Sequence, residues 1–419
     1  MPIAADLLLT GAAELLTFDA ARGDDAGLLS DGALAARDGR IVWVGPTAQA
    51  SAAVQLLPGA QRLDARGRVV LPGLVDCHSH FVFAGDRSAE FALRCEGKSY
   101  LEIAAAGGGI RATVEATTAA SDEALTALGI NRAQRLLAQG ITTSEAKSGY
   151  GLSVDLELRQ LEVIAAVAAR TPLEIHPTLL GLHALPPQAS RAAFVRAVTD
   201  DLIPQVAARH LAGQFDAFLE AGAFTGAEVE RAFTAAHAAG LGLRLHADQL
   251  SEGGGAQLAA RFGARSADHL EHVSEHGIAA LAAAGVTAVL APVATLALRE
   301  RPAPCAALRA AGVQLALCTN WNPGSAPTEN VWLTVSLACL MYGLSPSEAL
   351  RAFTVGGAHV LGQQARLGQL SPGFAADFAL YRCQSHAHLA AHAATNHVDR
   401  VYKSGQLVAE SGLPSCADV

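Results

Sequence analysis

Apolar and polar positions follow one rhythm at the two ends of the chain and another between them. The opening segment holds short strand-like runs separated by turns: DLLLTG, ALAARDGRIVWVG and QRLDARGRVV. Asp38-Gly39 lies between two such runs and is a hairpin signal, because both residue types tolerate the positive φ of a tight turn. The far end returns to this style with ARLGQLSPGFAADFALY and RVYKSGQLVAE. Between them, short apolar runs alternate with helical patterns such as VDLELRQLEVIAAVAAR and GAEVERAFTAAHAAG. That alternation predicts βαβ units and a parallel sheet.

Eight buried strands are predicted: VVLPGLVDCHSH (69–80), ITTSEAK (141–147), LEIHPTLL (173–180), FDAFLE (215–220), GLRLHAD (242–248), ADHLEH (267–272), VTAVLAP (286–292) and VQLALCTN (313–320). Eight strand–helix units give an α/β fold, a (β/α)8 TIM barrel, with a small β-sandwich domain built from both chain ends. The expected boundaries are residues 1–67 and 357–419 for the sandwich and 68–356 for the catalytic barrel. The uncharged run Ile278 to Leu298 is long enough to span a bilayer. Gly285 splits it and Pro292 breaks its far end, so it reads as a helix followed by a buried strand. The N-terminal stretch lacks a basic leader, and Asp6 and Glu14 interrupt it, which favours strands over a signal peptide.

Composition narrows the class further. The chain has 419 residues, 51% hydrophobic and only 16% charged, with a mean hydropathy of +0.27. Such a chain is not disordered and buries a large core. A net charge of −9 with no basic cluster argues against nucleic-acid binding. The seven cysteines are scattered, without a CxxC pair. They suit reduced thiols in a cytoplasm rather than a disulfide framework.

In a barrel of this kind chemistry gathers at the C-terminal strand ends. Strand one ends in His78-Ser79-His80, strand three in His176 with His183 shortly after, and strand five in His246. Strand six carries His269 and His272, and strand eight ends in Thr319-Asn320. His-x-His on a strand puts both imidazoles on one face, because side chains alternate. Neutral imidazoles a few ångströms apart suit Zn2+ or Fe2+. One such pair is a weak signal; several histidines at strand ends point to a metal site. Gly107-Gly108-Gly109 and Gly253-Gly254-Gly255 lack the Lys-Ser/Thr of a phosphate-binding P-loop and read as close-packing loops. Arg87 follows the His-x-His loop and either binds a carboxylate bidentately or is solvated. Cys77 reads as core, and His386, His388 and His392 as a surface stretch.

These residues carry a resemblance. LDARGRVVLPGLVDCHSH and LGQLSPGFAADFALY resemble the paired signatures of the metal-dependent amidohydrolase superfamily. Within it, HFVFAGDRSAEFALRCEGKSYLEIAAAGGGI, EAKSGYGL, HADQLSEGGGAQLAARFGARSADHLEH and NPGSAPTEN are similar to the imidazolonepropionase family, over essentially the whole chain. The resemblance implies hydrolysis of 4-imidazolone-5-propanoate to N-formimidoyl-L-glutamate in histidine degradation. It implies a TIM barrel beside a small β-sandwich, one Zn2+ or Fe2+/Fe3+ per subunit, a small-molecule substrate, a homodimer and a cytoplasmic enzyme. Residue by residue, it assigns His78, His80 and His246 to the metal. Arg87, Tyr150, His183 and Gln249 fall to the substrate, although some members carry Glu at the Gln249 position. His269 would stand beside the reacting carbonyl, and Asn322, Gly324 and Ser325 would contact the opened product.

One position departs from the pattern. The family carries Asp at the end of strand eight, two residues before the Asn of NPG, where it ligates the metal and takes the proton of the attacking water. This chain has Asn320. Its carbonyl oxygen can still reach a metal, but it has no charge and cannot act as a base. Two rival readings therefore stand beside the expected one: a hydrolase of another cyclic amide or a ring-amine deaminase, and a weakened or inactive ligand-binding form.

Overall fold

The computed structural model describes residues 1–23, 26–98, 102, 108–186 and 189–411. Five strands lead into it: β1 (Ile3–Leu16), β2 (Leu28–Arg37), β3 (Arg40–Pro46), β4 (Val54–Asp64) and β5 (Val69–Pro72). Asp38 and Gly39 join β2 to β3 with φ of 50° and 74°, the two positive values that a tight hairpin demands. β1 pairs with β2 along one edge and with β4 and then β5 along the other. The C-terminal strands close this sheet: β14 (Phe378–Tyr381) pairs antiparallel with β5, followed by β15 (Val398–Lys403) and β16 (Gln406–Glu410). The two chain ends thus form one hydrogen-bonded sheet of eight strands. Leu7, Leu9, Leu15, Leu34, Val70, Phe378 and Leu380 give it an apolar core of its own.

The run 69–80, which reads as one strand, is two. β5 belongs to the chain-end sheet, and after Gly73 the chain enters the barrel as β6 (Leu74–Asp76). Pro72 has no N–H to continue a ladder. At Gly73 a Cβ would meet Thr142 Oγ1 at 2.2 Å, so only glycine lets the chain cross there.

The barrel then runs β6, β7 (Ile141–Lys147), β8 (Glu174–Leu182), β9 (Gln214–Leu219), β10 (Gly242–Ala247), β11 (Ser266–His269), β12 (Thr287–Leu290) and β13 (Leu315–Leu317). Each strand pairs parallel with the next. β13 and β6 share no ladder. The C-terminal rim joins them instead: Asn320 N–H donates to His78 O (3.0 Å) and His80 N–H to Trp321 O (3.0 Å). Thr319 N–H also donates to Asp76 Oδ1 at 2.9 Å. Below the rim the helical residues 352–360 fill the seam. A Cβ at Gly356 would lie 2.2 Å from Leu315 O, and one at Gly357 2.2 Å from Val75 O.

The helices between strands have capped starts, the side chains of Ser121, Ser153, Thr225 and Ser274 accepting from first-turn amides. The run Ile278 to Leu298 resolves into the helix Glu275–Ala284, the strand β12 and the helix Pro292–Leu298. Gly285, with φ 68°, ends the first of these. Among the described residues, no helix is long and apolar enough to cross a membrane.

Candidate metal centre

Four histidines converge at the C-terminal mouth of the barrel. His78 and His80 follow β6, His246 lies near the end of β10, and His269 ends β11; none is more than 5% exposed. Ligand atoms of His78, His246 and His269 all lie within 4.8 Å of one another. His80 Nε2 is 3.2 Å from His78 Nε2. Two imidazole nitrogens on one tetrahedral ion at about 2.0–2.1 Å would be about 3.3 Å apart. The His-x-His pair therefore already has nearly the spacing of a ligand pair.

The donor chemistry also fits a metal. His78 Nδ1 faces Asp268 Oδ2 at 2.6 Å, which puts the proton on Nδ1 and leaves a lone pair on Nε2. Burial, together with Lys147 and the neighbouring rings, holds His78 well below the usual histidine range, and burial does the same for His80 and His269. Neutral imidazoles are the form that binds metal. The Nδ1 atoms of His80 and His269 are buried without hydrogen-bond partners, a costly arrangement unless something polar occupies the cluster. His269 has φ 83°, a strained value for a residue with a side chain, and such strain concentrates at functional sites.

Beneath the imidazoles, the barrel interior holds five buried charges. Lys147 Nζ bonds Glu145 (3.0 Å) and Asp216 (2.5 Å). Arg244 bonds Asp268 at 2.6 Å and also Glu145. Asp216 lies 3.1 Å from His246 Nδ1; burial pushes its carboxyl up, but His246, Lys147 and Arg244 outweigh that and hold it well below the usual range. Three carboxylates stand against two cations, so one negative charge is left for a cation above to balance. Asp76 is pushed up to about 7 by burial, against the hydrogen bonds of Thr319.

The loops around the mouth are braced by carboxylates. Glu157 accepts from the amides of Gly149, Gly151 and Leu152 at 2.7–2.8 Å, and Gln160 Oε1 accepts from Tyr150 N–H at 3.0 Å. His183 donates through Nδ1 to Gly149 O (2.9 Å), and its ring stacks on His80 at 5.5 Å between centroids. Tyr150 lies 6.2 Å from His80 in the same measure. Gln249 is buried in the turn after β10, where Glu220 accepts from Leu250 N–H at 2.8 Å. Arg87 donates through Nε and Nη2 to Glu90 Oε2 at 3.0 and 2.7 Å. Its Nη1 edge packs against Gly324, where a Cβ would come within 2.2 Å. Asn322 Oδ1 accepts from Gly324 N–H and Ser325 N–H, and its Nδ2 donates to Asn320 O at 2.7 Å. Asn322 is thus spent on shaping its own loop. Asn320, with φ 51°, sits in a left-handed conformation that Asn and Asp tolerate.

The Amidohydrolase family matches residues 69–408 of this chain. The chain is 52% identical to the imidazolonepropionase of Anaeromyxobacter dehalogenans over 94% of each protein. It is 46% identical to that of Myxococcus xanthus, over 98% of this chain and 99% of that one. The chain belongs to the amidohydrolase family, in its imidazolonepropionase branch. Among solved structures, an adenosine deaminase from Xanthomonas campestris with bound zinc shares the fold at a TM-score of 0.72 and 21% identity, over 97% of this chain and 93% of that one. An atrazine chlorohydrolase from Arthrobacter aurescens, complexed with zinc, shares it at 0.71 and 19%, over 98% and 97%.

Several sequence expectations need correction against this amidohydrolase barrel. His176 does not end strand three: β8 continues to Leu182, leaving His176 near the opposite end, 2.9 Å from Glu174. His272 lies beyond β11 and bonds Glu300 at 3.0 Å, outside the imidazole cluster. Cys77 packs with Val289 and Ala316, as a core residue should. The Gly253–Gly255 stretch cradles an anion after all, but the anion is the chain's own Asp248 carboxylate, which accepts from Gly253, Gly255 and Ala256 N–H. Gly109 N–H is likewise taken by Glu90 at 2.9 Å; Gly107 lies outside the described residues. His386, His388 and His392 are not a plain surface stretch, since His386 bonds Glu14 at 2.7 Å and His388 is half-buried.

The interior charges escaped sequence reading altogether. Their signal is charged or titratable residues on alternate positions of barrel strands: Glu145 and Lys147 on β7, Arg244 and His246 on β10. Alternation aims each pair inward together.

Proposed function

We propose that this chain opens the ring of 4-imidazolone-5-propanoate by hydrolysis, giving N-formimidoyl-L-glutamate, as the step of histidine degradation that its relatives' name denotes. The observation that carries the reading is the buried imidazole cluster at the mouth of an amidohydrolase barrel, in a chain about half identical to imidazolonepropionases. One Zn2+ or Fe2+/Fe3+ per chain would be held by His78, His80 and His246, with Asn320 offering its carbonyl oxygen. When bound, such an ion supplies Lewis acidity and brings the pKa of a water towards about 7.

The chain's own groups do the rest. His269, neutral and fixed by its backbone, stabilises the developing oxyanion or carries protons. Arg87, steadied by Glu90, receives the propanoate carboxylate. Tyr150, His183 and Gln249 hold the ring, and the loop of Gly324 and Ser325, shaped by Asn322, meets the opened product. Positioning of this kind can supply several kcal/mol of the barrier. The enzyme would work in the cytoplasm as a homodimer.

Asn320 favours a second reading, a chain that binds the substrate but turns it over weakly, because no carboxylate stands at the strand-eight position to take the water's proton. The test is ultraviolet decay of 4-imidazolone-5-propanoate with the protein reconstituted with Zn2+ or Fe2+, beside a panel of other cyclic amides and ring amines. Metal-dependent decay supports the first reading and binding without decay the second. Turnover of another panel member alone would overturn the substrate.

A further inference from the structure

A second imidazole cluster lies in the chain-end sheet, in the connection from β14 to β15. The helix His386–Ala391 presents His388, with His392 at its C-terminal cap, and His397 stands directly before β15. Ligand atoms of His388, His392 and His397 all lie within 4.8 Å of one another. The His388 and His392 rings stack at 3.8 Å between centroids, and His397 meets His388 edge-on at 4.7 Å. His397 is only 5% exposed, yet its Nε2 is buried with no hydrogen-bond partner. A buried polar nitrogen left unpaired costs about 1–3 kcal/mol, so an orphan on a ring packed beside two other imidazoles calls for an occupant.

The scaffold is suited to hold one. His397 O accepts from Arg382 N–H at 2.8 Å, and Asn396 anchors the turn through Nδ2 to Ala138 O (2.8 Å) and Oδ1 to Val398 N–H (3.0 Å). Ser336 Oγ donates to Ala390 O at 2.6 Å, tying the helix to the barrel's outer layer. Asp399 offsets the nearby Arg382 guanidinium at 3.8 Å. The i, i+4 spacing of His388 and His392 is a helical chelating pair, and His397 adds a third donor from a rigid strand start. Drawing the nitrogens in to the about 3.3 Å that a tetrahedral ion requires moves the two side chains at the open edge, with His397 as the fixed post.

We propose that His388, His392 and His397 form a second metal site, separate from the barrel mouth, for a borderline divalent cation such as Zn2+. Three imidazoles select Zn2+, Ni2+ or Cu2+ over Mg2+ or Ca2+, and the exposed side leaves coordination positions for water. An ion here clamps the C-terminal return of the chain-end sheet and has no part in hydrolysis.

The test is the Zn2+ stoichiometry of the full chain, measured by titration of metal-free protein, for wild type and for His392→Ala. His392 is exposed, so that variant folds. The expected result is one equivalent fewer in His392→Ala, whatever the count at the barrel. His397→Asn should lose the same equivalent, and the part of the thermal stabilisation by Zn2+ that accompanies that equivalent should vanish in both. Hydrolytic turnover in His392→Ala should stay at the wild-type level. An unchanged stoichiometry in His392→Ala overturns the site.

Discussion

Replacing Asn320 by Asp changes one group, NH2 for O−, at a position whose backbone is already fixed. The Asn320 amide donates to His78 O at 3.0 Å, its carbonyl accepts from Asn322 Nδ2, and its φ of 51° is tolerated by Asp as well as by Asn. The variant therefore keeps its geometry, and any change reports charge and basicity. A correctly placed general base contributes about 10²–10⁴-fold in rate, or about 3–5 kcal/mol at about 1.36 kcal/mol per decade. With metal bound, Asn320→Asp should raise kcat by that range with a smaller change in KM.

The same substitution has an opposite effect without metal. Position 320 is 2% exposed, and the interior beneath already carries one unbalanced negative charge. An uncompensated buried carboxylate costs about 3–5 kcal/mol or takes up a proton instead. Metal-free Asn320→Asp should thus denature earlier than metal-free wild type, and the order should reverse on adding Zn2+. The assays are ultraviolet turnover and thermal denaturation, each with and without metal. Equal turnover in both chains would refute the reasoning, because another group would then already be supplying the base.

Three further outcomes follow from the same contacts. Asp268→Asn removes the carboxylate that orients His78, so metal affinity should fall about 10–100-fold in a chelator competition, and an unchanged affinity would show that His78 is not a ligand. In the metal-free protein the depressed imidazoles make stability pH-dependent. Above about pH 6.5 they are neutral in both folded and unfolded chains; as pH falls, only the unfolded chain takes up protons. His183 alone, held down to about 4 by burial and His246, should cost about 3 kcal/mol between pH 6.5 and 4, and a flat denaturation profile over that window would contradict it. Gly357→Ala puts a methyl group 2.2 Å from Val75 O in the seam between β6 and β13 and should cost at least about 1–3 kcal/mol in urea denaturation.

Most barrel strands were legible because a strand buried on both faces is largely apolar, and seven of the eight runs each overlap one barrel strand, with ends that differ by no more than three residues. The exception, 69–80, carries one apolar pattern across a change of sheet at Gly73. What separates β5 from β6 is a contact with Thr142, about seventy residues away, and no local pattern encodes such a contact. His176 misled for a related reason. Its run LEIHPTLL has the right composition for a strand, but composition does not say how far the strand continues, and six more residues to Leu182 put His183 at the mouth instead.

The candidate site divides along the same physical line. Histidines that end strands announce themselves, since an apolar run stops at a titratable group. The groups that make those imidazoles useful do not: Asp268 orients His78, and Lys147, Asp216 and Arg244 balance one another only after eight strands have closed. Sequence can nevertheless betray them, because a charge inside a buried strand is too costly to stand alone. Lys147 on β7 and Arg244 on β10 therefore require acidic partners from other strands, and Asp216 on β9 and Asp268 on β11 are carboxylates that supply them. The same logic applies to His397. Sequence groups it with nothing, and only the turn that carries the chain from Ala391 into β15 brings its ring beside His388 and His392. A buried polar group that lacks a partner in one element is thus a statement about another element. In this chain it leads from the strands to the interior charges, and from His397 to a site separate from the barrel mouth.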